Sequence, residues 1–541
     1  MNPFSSAFCA SALCLFSAVA ASPGRSAQPQ TSGVTTQATA VAPRPNIIFV
    51  LCDDLGYGDL SCFGQKNFST PNLDRMAKEG TRLTHHYASS PVCVPTRASL
   101  MLGLHTGHSP VRDHQFDRAI PDSPTMASVL RQAGYRTLHV GKWGIGGKPA
   151  EGFPAHPQKR GFDAFYGLMT HGAGHVHYPD AEHTLFDGYR DATAEVSDTY
   201  STDLYTAKAK QWITEQVKER PKQPFFMYLA YIAPHSDFQV PDAPYPNGKG
   251  INGGLHMPLK TNPTNKDKWI DPEFTNATYD DDGDVKTPKV PWTDLMKRYA
   301  TMVRRLDEAN ADLLQTLRDL KIDKNTLVVF TSDNGPAFDK TLRASQLQSW
   351  GPLDGFKRDL AEGGIREPTI VWWPGTVKAD AVSARPSVQY DWLTTFAELA
   401  GTAAPARTDG VSLAPQLTGR GTQKSHEYLY WEFHGPSNRV EDRDVLTRKK
   451  YPLPVPDGQG AAKDPWGQQQ AIRIGDYVGL RAQIKDADSP LRLYNVVRDP
   501  HQDADLAGRP EHAALIAQMK RLLQSAHQPQ PGNPRPYDNI K

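Results

Sequence analysis

The sequence predicts an α/β protein: a large, mainly parallel or mixed sheet flanked by helices, then a smaller C-terminal antiparallel sheet with a covering helix. Three observations predict it. Four apolar runs without alternation each end abruptly in polar residues, as strands covered on both faces do. Segments of helical spacing lie between them, and strands alternating with helices imply a parallel sheet. Beyond residue 425 the runs become short and turn-bounded, the pattern of an antiparallel sheet.

The 541 residues carry 60 Lys plus Arg against 59 Asp plus Glu, a net charge of +1. That balance excludes the basic stripe of a nucleic-acid binder and a polybasic membrane-surface protein. The run Phe8 to Ala21 matches a signal-peptide h-region and is too short to span a bilayer. Ala18-Val19-Ala20 supplies a small-x-small cleavage pattern, although Met1 to Ser6 has no Lys or Arg. Residues 1–20 are therefore read as a signal peptide and 21–44 as a flexible low-complexity leader rich in Ser, Thr, Gln, Ala and Pro. Neither Cys9 nor Cys14 has the surroundings of a lipoprotein acceptor. The expectation is an exported protein, periplasmic or secreted, with no stable membrane insertion after cleavage. Of the remaining thiols, Cys52 and Cys62 can pair, leaving Cys93 odd.

A catalytic domain is expected over 45–425. Asn46 to Cys52 runs into Asp53-Asp54, and Arg82 to Ala88 reads as a strand before Ser90-Pro-Val-Cys93. Thr137 to Val140 leads to Gly141-Lys142-Trp143-Gly144, and Pro224 to Ala233 leads to Pro234-His235. Tyr299 to Leu320 is helical, with Met302, Leu306, Ala309, Leu313 and Leu317 near helical spacing. Thr326 to Thr331 ends in Ser332-Asp333-Asn334-Gly335. A C-terminal α+β subdomain is expected over 426–541, from strands at Glu427–His434, Gln470–Gly475, Tyr477–Arg481 and Leu491–Asn495 and a helix over Glu511–Ser525. The charged, Pro-rich 435–466 segment reads as a loop.

Ligands of open α/β sheets sit at the carboxyl ends of the strands, and here those ends carry Asp-Asp, Lys, His and Asp-Asn. Singly, each reads as a helix cap or loop polar group; together their chemistry is complementary. Asp53, Asp54, Asp333 and Asn334 are hard oxygen donors, suited to Ca²⁺ before Mg²⁺ and lacking the imidazole and thiolate of a typical zinc site. Three carboxylates packed without a cation repel one another. Pro95 fits the first turn of a helix continued by Ala98 to Leu102, which puts Cys93 at its N-terminus, where the dipole favours an anion. Arg97 follows one turn later. Taken alone, an apolar-flanked cysteine is usually an inert buried residue.

In this order the motifs identify a resemblance. The chain resembles the formylglycine-dependent (type I) sulfatases, arylsulfatase-like members of the alkaline phosphatase superfamily, over nearly all of its length after residue 45. The matching segments are NIIFVLCDDLGYGDLSCFGQ (46–65), the 70–112 stretch with Cys93-x-Pro95-x-Arg97, GYRTLHVGKWG (134–144), FTSDNG (330–335), GFKRDLAEGGIREPTIVWWPG (355–375) and DGVSLAPQLTG (409–419). The resemblance implies the alkaline-phosphatase-like sulfatase fold and conversion of Cys93 to Cα-formylglycine by a maturation enzyme. It implies hydrolysis of a sulfate monoester to alcohol plus sulfate: one hydroxyl of the hydrated aldehyde attacks sulfur, and the other expels sulfate from the covalent hemiacetal. Asp53, Asp54, Asp333, Asn334 and residue 93 correspond to the metal ligands, with Asp333 also a base candidate. Arg97 corresponds to the arginine supporting the aldehyde hydrate, Lys142 and Lys357 to the sulfate-binding lysines, and His235 to a general acid at the leaving group.

One position departs. Many members have a histidine two residues after the motif lysine, generally assigned to the second hydroxyl; this chain has Gly144. In the stretch His171-Gly-Ala-Gly-His175-Val-His177 the expected replacement is His177 or His175, with His105 and His108 as rivals. The expected substrate is an aryl sulfate or sulfated carbohydrate, with specificity in loops around 145–185, 236–290 and 435–466. The alternatives are a phosphonate monoester or phosphodiester hydrolase of the same superfamily, separated by relative kcat/KM on sulfate and phosphonate esters, and a non-catalytic sulfated-glycan-binding protein that retains ligand without turnover.

Overall fold

Ten strands form the central sheet, numbered here in chain order: β1 (Asn46–Cys52), β2 (Thr81–Leu83), β3 (Arg136–Lys142), β4 (Ala164–Leu168), β5 (Leu185–Asp187), β6 (Arg190–Asp191), β7 (Phe225–Ala230), β8 (Thr326–Ser332), β9 (Thr369–Trp372) and β10 (Ala381–Ser383). They belong to a computed structural model that describes residues 44–280, 286–337, 347–435, 468–482 and 484–538. The expected signal peptide, the leader up to residue 43 and most of the 435–466 loop lie outside the described residues. The spatial order is β10-β2-β9-β8-β1-β7-β3-β4-β5-β6. The five central strands, β8-β1-β7-β3-β4, are all parallel, and the antiparallel pairings lie toward the edges.

β1 holds the centre because every one of its residues is buried. Ile48, Val50 and Cys52 face one core with the helices Ser201–Glu219 and Asp294–Asp319. Ile47, Phe49 and Leu51 face a second core with the helices Cys93–Leu102, Met126–Gln132 and Asp391–Leu399. Period-two alternation thus serves two apolar layers, which is why the run shows no polar face. The helix expected from Tyr299 starts earlier, at Asp294, because the Thr293 side chain accepts the Met296 N–H. The strand expected over Arg82–Ala88 is split into Thr81–Leu83 and His86–Tyr87, which pair with different sheets. The Cys52–Cys62 pairing that the sequence allows does not form: both are free thiols, Cys52 in the central strand and Cys62 with its N–H on Asp74 Oδ1 at 2.8 Å.

The C-terminal strands Leu429–His434, Gln468–Ile474, Tyr477–Ala482 and Arg492–Asn495 form an antiparallel sheet, covered by the helix Ala513–Ala526. Leu429, Trp431 and Phe433 point into a core shared with Tyr87, Val92 and Ile365, whereas Tyr430 faces the helix residues Met519 and Leu523. Trp431 Nε1 donates to the Ala88 carbonyl at 2.8 Å, so this sheet backs the segment leading to Cys93.

Glu432 anchors the last part of the chain. Its buried carboxylate accepts from Arg112 Nη1 (3.1 Å), Tyr430 O–H (2.6 Å) and His527 Nδ1 (2.6 Å), and His527 Nε2 meets Asp538 Oδ1 at 2.5 Å. Burial opposes its ionisation, but His527, Arg535 and Arg112 outweigh burial and hold the carboxyl down at about 2. A depressed acid contributes stability that is full above its unfolded value of 4.5 and lost as pH falls toward about 2. Glu432→Gln is therefore expected to destabilise by about 3–5 kcal/mol at pH 7, because buried arginines lose their partner. Calorimetry should show the deficit shrinking at pH 3; an equal deficit at both pH values would contradict this account.

Candidate active site

The parallel strands deliver the polar groups to one end. Asp53 and Asp54 follow β1, Lys142 is the last residue of β3, His235 comes five residues after β7, and Asp333 and Asn334 follow β8. Cys93 is the first residue of its helix and is completely buried, with Arg97 one turn on. Arg97 joins these elements: Nη2 lies 2.8 Å from Asp333 Oδ2 and 3.1 Å from Asp53 Oδ2, and Nη1 donates to the Lys142 carbonyl at 2.9 Å.

Lys142 Nζ is 2.5 Å from Asp53 Oδ2, and Lys357 Nζ is 2.8 Å from Asp54 Oδ2. The three carboxylates expected to repel one another are thus interleaved with three buried cations, Arg97, Lys142 and Lys357. Burial opposes ionisation of Asp53, yet Lys142 and Arg97 hold it well below the carboxylate range. Asp333 goes the other way, pushed up to about 7 by burial and by the Asp53 charge. Burial also pushes the Cys93 thiol up to about 11, against the pull of Lys142. At neutral pH the unmodified side chain is a thiol, which is a weak nucleophile.

Two buried oxygens in this cluster, Asp53 Oδ1 and Asn334 Oδ1, have no hydrogen-bond partner among the described residues. Asn334 is oriented by its own amide, which donates to Asp54 Oδ1 at 2.7 Å and to the Gly335 carbonyl at 2.8 Å. Asp54 holds a left-handed backbone (φ 65°), which turns its carboxylate back toward Asn334 and Lys357. Ligand atoms of Asp53, Cys93 and Asp333 lie within 4.8 Å of one another. Orphaned carboxylate and amide oxygens in a set of hard donors fit a divalent cation such as Ca²⁺.

The His-rich stretch folds over this cluster, and the structure seats His171 against Cys93. Its ring nitrogens lie 3.8 and 3.9 Å from Sγ. Its Nε2 also meets His175 Nε2 at 3.0 Å and His114 Nε2 at 3.3 Å. Burial, then Lys142 and His175, keep the ring neutral. His177 is directed elsewhere, with Nε2 on the His235 carbonyl at 3.3 Å and its ring stacked on Tyr200. His175 stacks on His235 with centroids 4.1 Å apart. The rivals His105 and His108 pair with Asp409 instead.

The glycines explain the arrangement. A Cβ on Gly144 would lie 3.9 Å from His171 Nδ1, so His171 stands where a side chain from 144 would point. A Cβ on Gly174 would come within 2.7 Å of the Lys142 side chain, so only glycine lets the turn lie this close. His171 was within the stretch singled out from the sequence, but spacing alone did not distinguish it from its neighbours. The signal that could have found it is Gly174, which permits the turn to close on Lys142.

His235 Nε2 lies 2.9 Å from Lys357 Nζ and 3.5 Å from Asp54 Oδ2. Its Nδ1 faces the Ser236 carbonyl at 3.1 Å. That pairing fixes the tautomer: Nδ1 donates to the carbonyl, and Nε2 accepts from the Lys357 ammonium. Burial and Lys357 hold the ring neutral.

Buried cations, oxygen donors and a helix-borne cysteine at the carboxyl ends of a parallel sheet suit the hydrolysis of an anionic ester. The chain belongs to the sulfatase family: the family model Sulfatase matches residues 45–402. It is a sulfuric ester hydrolase with the alkaline-phosphatase-like fold, as its relatives and structural neighbours show. It is 32% identical over 413 residues to N-acetylgalactosamine-6-sulfatase of Sus scrofa, covering 71% of this chain and 68% of that one. It is 29% identical over 519 residues to arylsulfatase A of Homo sapiens, covering 89% and 88%. The crystal structure of Ps i-CgsB in complex with k-i-k-neocarrahexaose superposes with a TM-score of 0.65 at 25% identity, covering 89% of this chain and 93% of that one.

Proposed function

We propose that the protein is an exported, calcium-dependent sulfatase that acts on a sulfated carbohydrate after oxidation of Cys93 to formylglycine by a maturation enzyme. The observation that carries this reading is the cluster of Asp53 and Asp333 with the buried Cys93, with Asp54 next to Asp53, Asn334 hydrogen-bonded to Asp54, and two orphaned oxygens among them. The relatives named N-acetylgalactosamine-6-sulfatase and the neighbour solved with k-i-k-neocarrahexaose support the substrate class. Export rests on the N-terminal sequence; among the described residues no helix is long and apolar enough to cross a membrane.

Bound calcium would supply Lewis acidity, and formylglycine a hydrated aldehyde oxygen as nucleophile. The chain's own residues do the rest. Asp53, Asp54, Asp333, Asn334 and residue 93 would hold the cation. Three carboxylates are matched by three cations, Arg97, Lys142 and Lys357; two further positive charges from a bound cation would free Lys142 and Lys357 to face sulfate oxygens. Arg97 fixes Asp53 and Asp333 relative to the nucleophile helix. His235 receives a hydrogen bond from Lys357, so the pair holds a proton at Nζ–Nε2 for the departing alcohol oxygen. His171 holds the nitrogen that takes a proton at residue 93.

Peptide mass spectrometry on residue 93, after coexpression with a formylglycine-generating enzyme, tests this reading. The aldehyde lowers the mass by roughly 18 Da and its hydrate restores it. An unmodified thiol from a working maturase would refute it. His171→Ala is expected to lower kcat about 10²–10⁴-fold with little change in KM. Adding Gly144→His should recover part of that loss despite the left-handed backbone (φ 72°) at 144. A rise in KM with kcat unchanged, or no recovery together with a lowered Tm in His171→Ala, would leave His171 a structural residue.

A further inference from the structure

We propose that a second cavity, at the far end of the helix Cys93–Leu102 from the candidate active site, binds an aromatic carboxylate, with a flat apolar body against proline and leucine and one anionic head on Arg407 beside Arg112. The site is separate from the sulfatase chemistry and stands whether or not residue 93 is modified.

The cavity has a volume of about 740 Å³ and lies between the end of that helix, the 405–407 turn and residues 528–531. Leu102, the last residue of the helix, and Leu104 line it together with six prolines, Pro110, Pro405 and Pro529 among them. At 1.5 Å per residue Leu102 is about 14 Å along the axis from Cys93, which puts the cavity outside the cluster around residue 93. Pyrrolidine rings have no rotamers to lose, so the wall is formed in advance. A rigid planar body fills such a wall without the ordering cost of a flexible alkyl tail. The size, the apolar lining and the few polar groups are those of a small-molecule site.

The polar groups gather at one residue, Gln528. Its side-chain Oε1 accepts from Arg407 Nη2 at 3.1 Å, and its carbonyl accepts from Arg112 Nη1 at 2.7 Å. All three residues line the cavity, so two guanidinium groups stand beside each other there. Their charges are balanced differently. Arg112 is buried, and its Nη1 is ion-paired with Glu432 Oε1 at 3.1 Å. Its Nε donates to the Ser109 carbonyl at 2.7 Å, which leaves Nη2 without a hydrogen bond among the described residues. Arg407 is exposed and forms no ion pair among the described residues; its other bond is a long one, 3.5 Å, to the His108 carbonyl. Asp409, two residues on, is taken by His105 and His108. One uncompensated guanidinium at an apolar cavity calls for one anionic head, and a carboxylate matches its fork through two parallel hydrogen bonds.

The test is isothermal titration calorimetry on the full chain with a matched pair, 2-naphthoate and the neutral 2-naphthalenemethanol, beside a thermal melt of each variant. Naphthoate is expected to bind about tenfold or more tightly than the alcohol, the worth of a hydrogen bond to a charged group. Arg407→Ala should bring the two dissociation constants to within about threefold, and Arg407→Lys should give an intermediate ratio, because a point charge replaces the fork. Ala406→Trp, at an exposed position that lines the cavity, should fill it and weaken both ligands at least about tenfold. Equal affinity for the two in the wild type, binding of neither, an unchanged ratio in Arg407→Ala, or wild-type affinity in Ala406→Trp would overturn the site. Should Ala406→Trp melt below the wild type, the ratio in Arg407→Ala decides alone.

Discussion

Replacing Cys93 with alanine is expected to bring sulfate release to the uncatalysed background, a fall in kcat of about 10⁴-fold or more. Residue 93 is where the site's elements meet: it begins the helix that carries Arg97, its sulfur touches His171, and it shares a cluster with Asp53 and Asp333. No other side chain among those residues occupies the same point. Lys142 and Lys357 can hold an anion but, protonated, cannot attack sulfur. The fold should tolerate the change, since alanine is the best helix former and a small core residue replaces another. The check is kcat on 4-nitrophenyl sulfate beside a thermal melt. More than about 1% of wild-type kcat, in a variant with normal Tm, would exclude residue 93 as the nucleophile.

Calcium is expected to raise the Tm of the wild-type protein, and Asp53→Asn or Asp333→Asn to abolish most of that rise. A ligand bound only by the folded state stabilises it by about 2.7 kcal/mol at a hundredfold excess over Kd. The argument is electrostatic. Asp53 keeps its charge against burial because Lys142 and Arg97 lie beside it, and Asp333 is raised to about 7 by burial and by that nearby charge. Two positive charges among these oxygens relieve the conflict between the carboxylates and leave the lysines available to substrate. Each amide variant removes one anionic ligand. The Ca²⁺ concentration at half-maximal activity should therefore rise at least about tenfold, a loss of about 1.4 kcal/mol in binding. Differential scanning fluorimetry against free Ca²⁺ decides it. A wild-type Tm indifferent to calcium, or amide variants that respond as the wild type does, would place the cation elsewhere.

The strand ends were legible because they are local: an apolar run that stops at Asp53-Asp54, at Lys142 or at Asp333-Asn334 declares both the strand and the group it delivers. Cys93 and Arg97 were legible for the same reason, four residues apart on one helix. Assigning the imidazole depended on packing instead. His171, His175 and His177 share a stretch of seven residues, and which one reaches Cys93 is set by Asp117 capturing the His171 N–H and by Gly174 lying on Lys142. The charge balance was hidden too, because Lys142 and Lys357 are 215 positions apart and meet the aspartates only in the fold.

If residue 93 is matured as proposed, its complete burial makes that maturation a matter of timing. Cys93 is completely buried in the folded chain, and Leu429, Phe433 and Val478 pack with Val92 just before it, so an enzyme cannot reach the thiol once folding is complete. On the proposed function, the interval between emergence of residue 93 and completion of folding is the period in which a chain becomes active. Chains that fold first are locked as stable, correctly folded proteins without a nucleophile. The specific activity of a preparation would then record a race between synthesis and modification rather than the fraction of chains that folded.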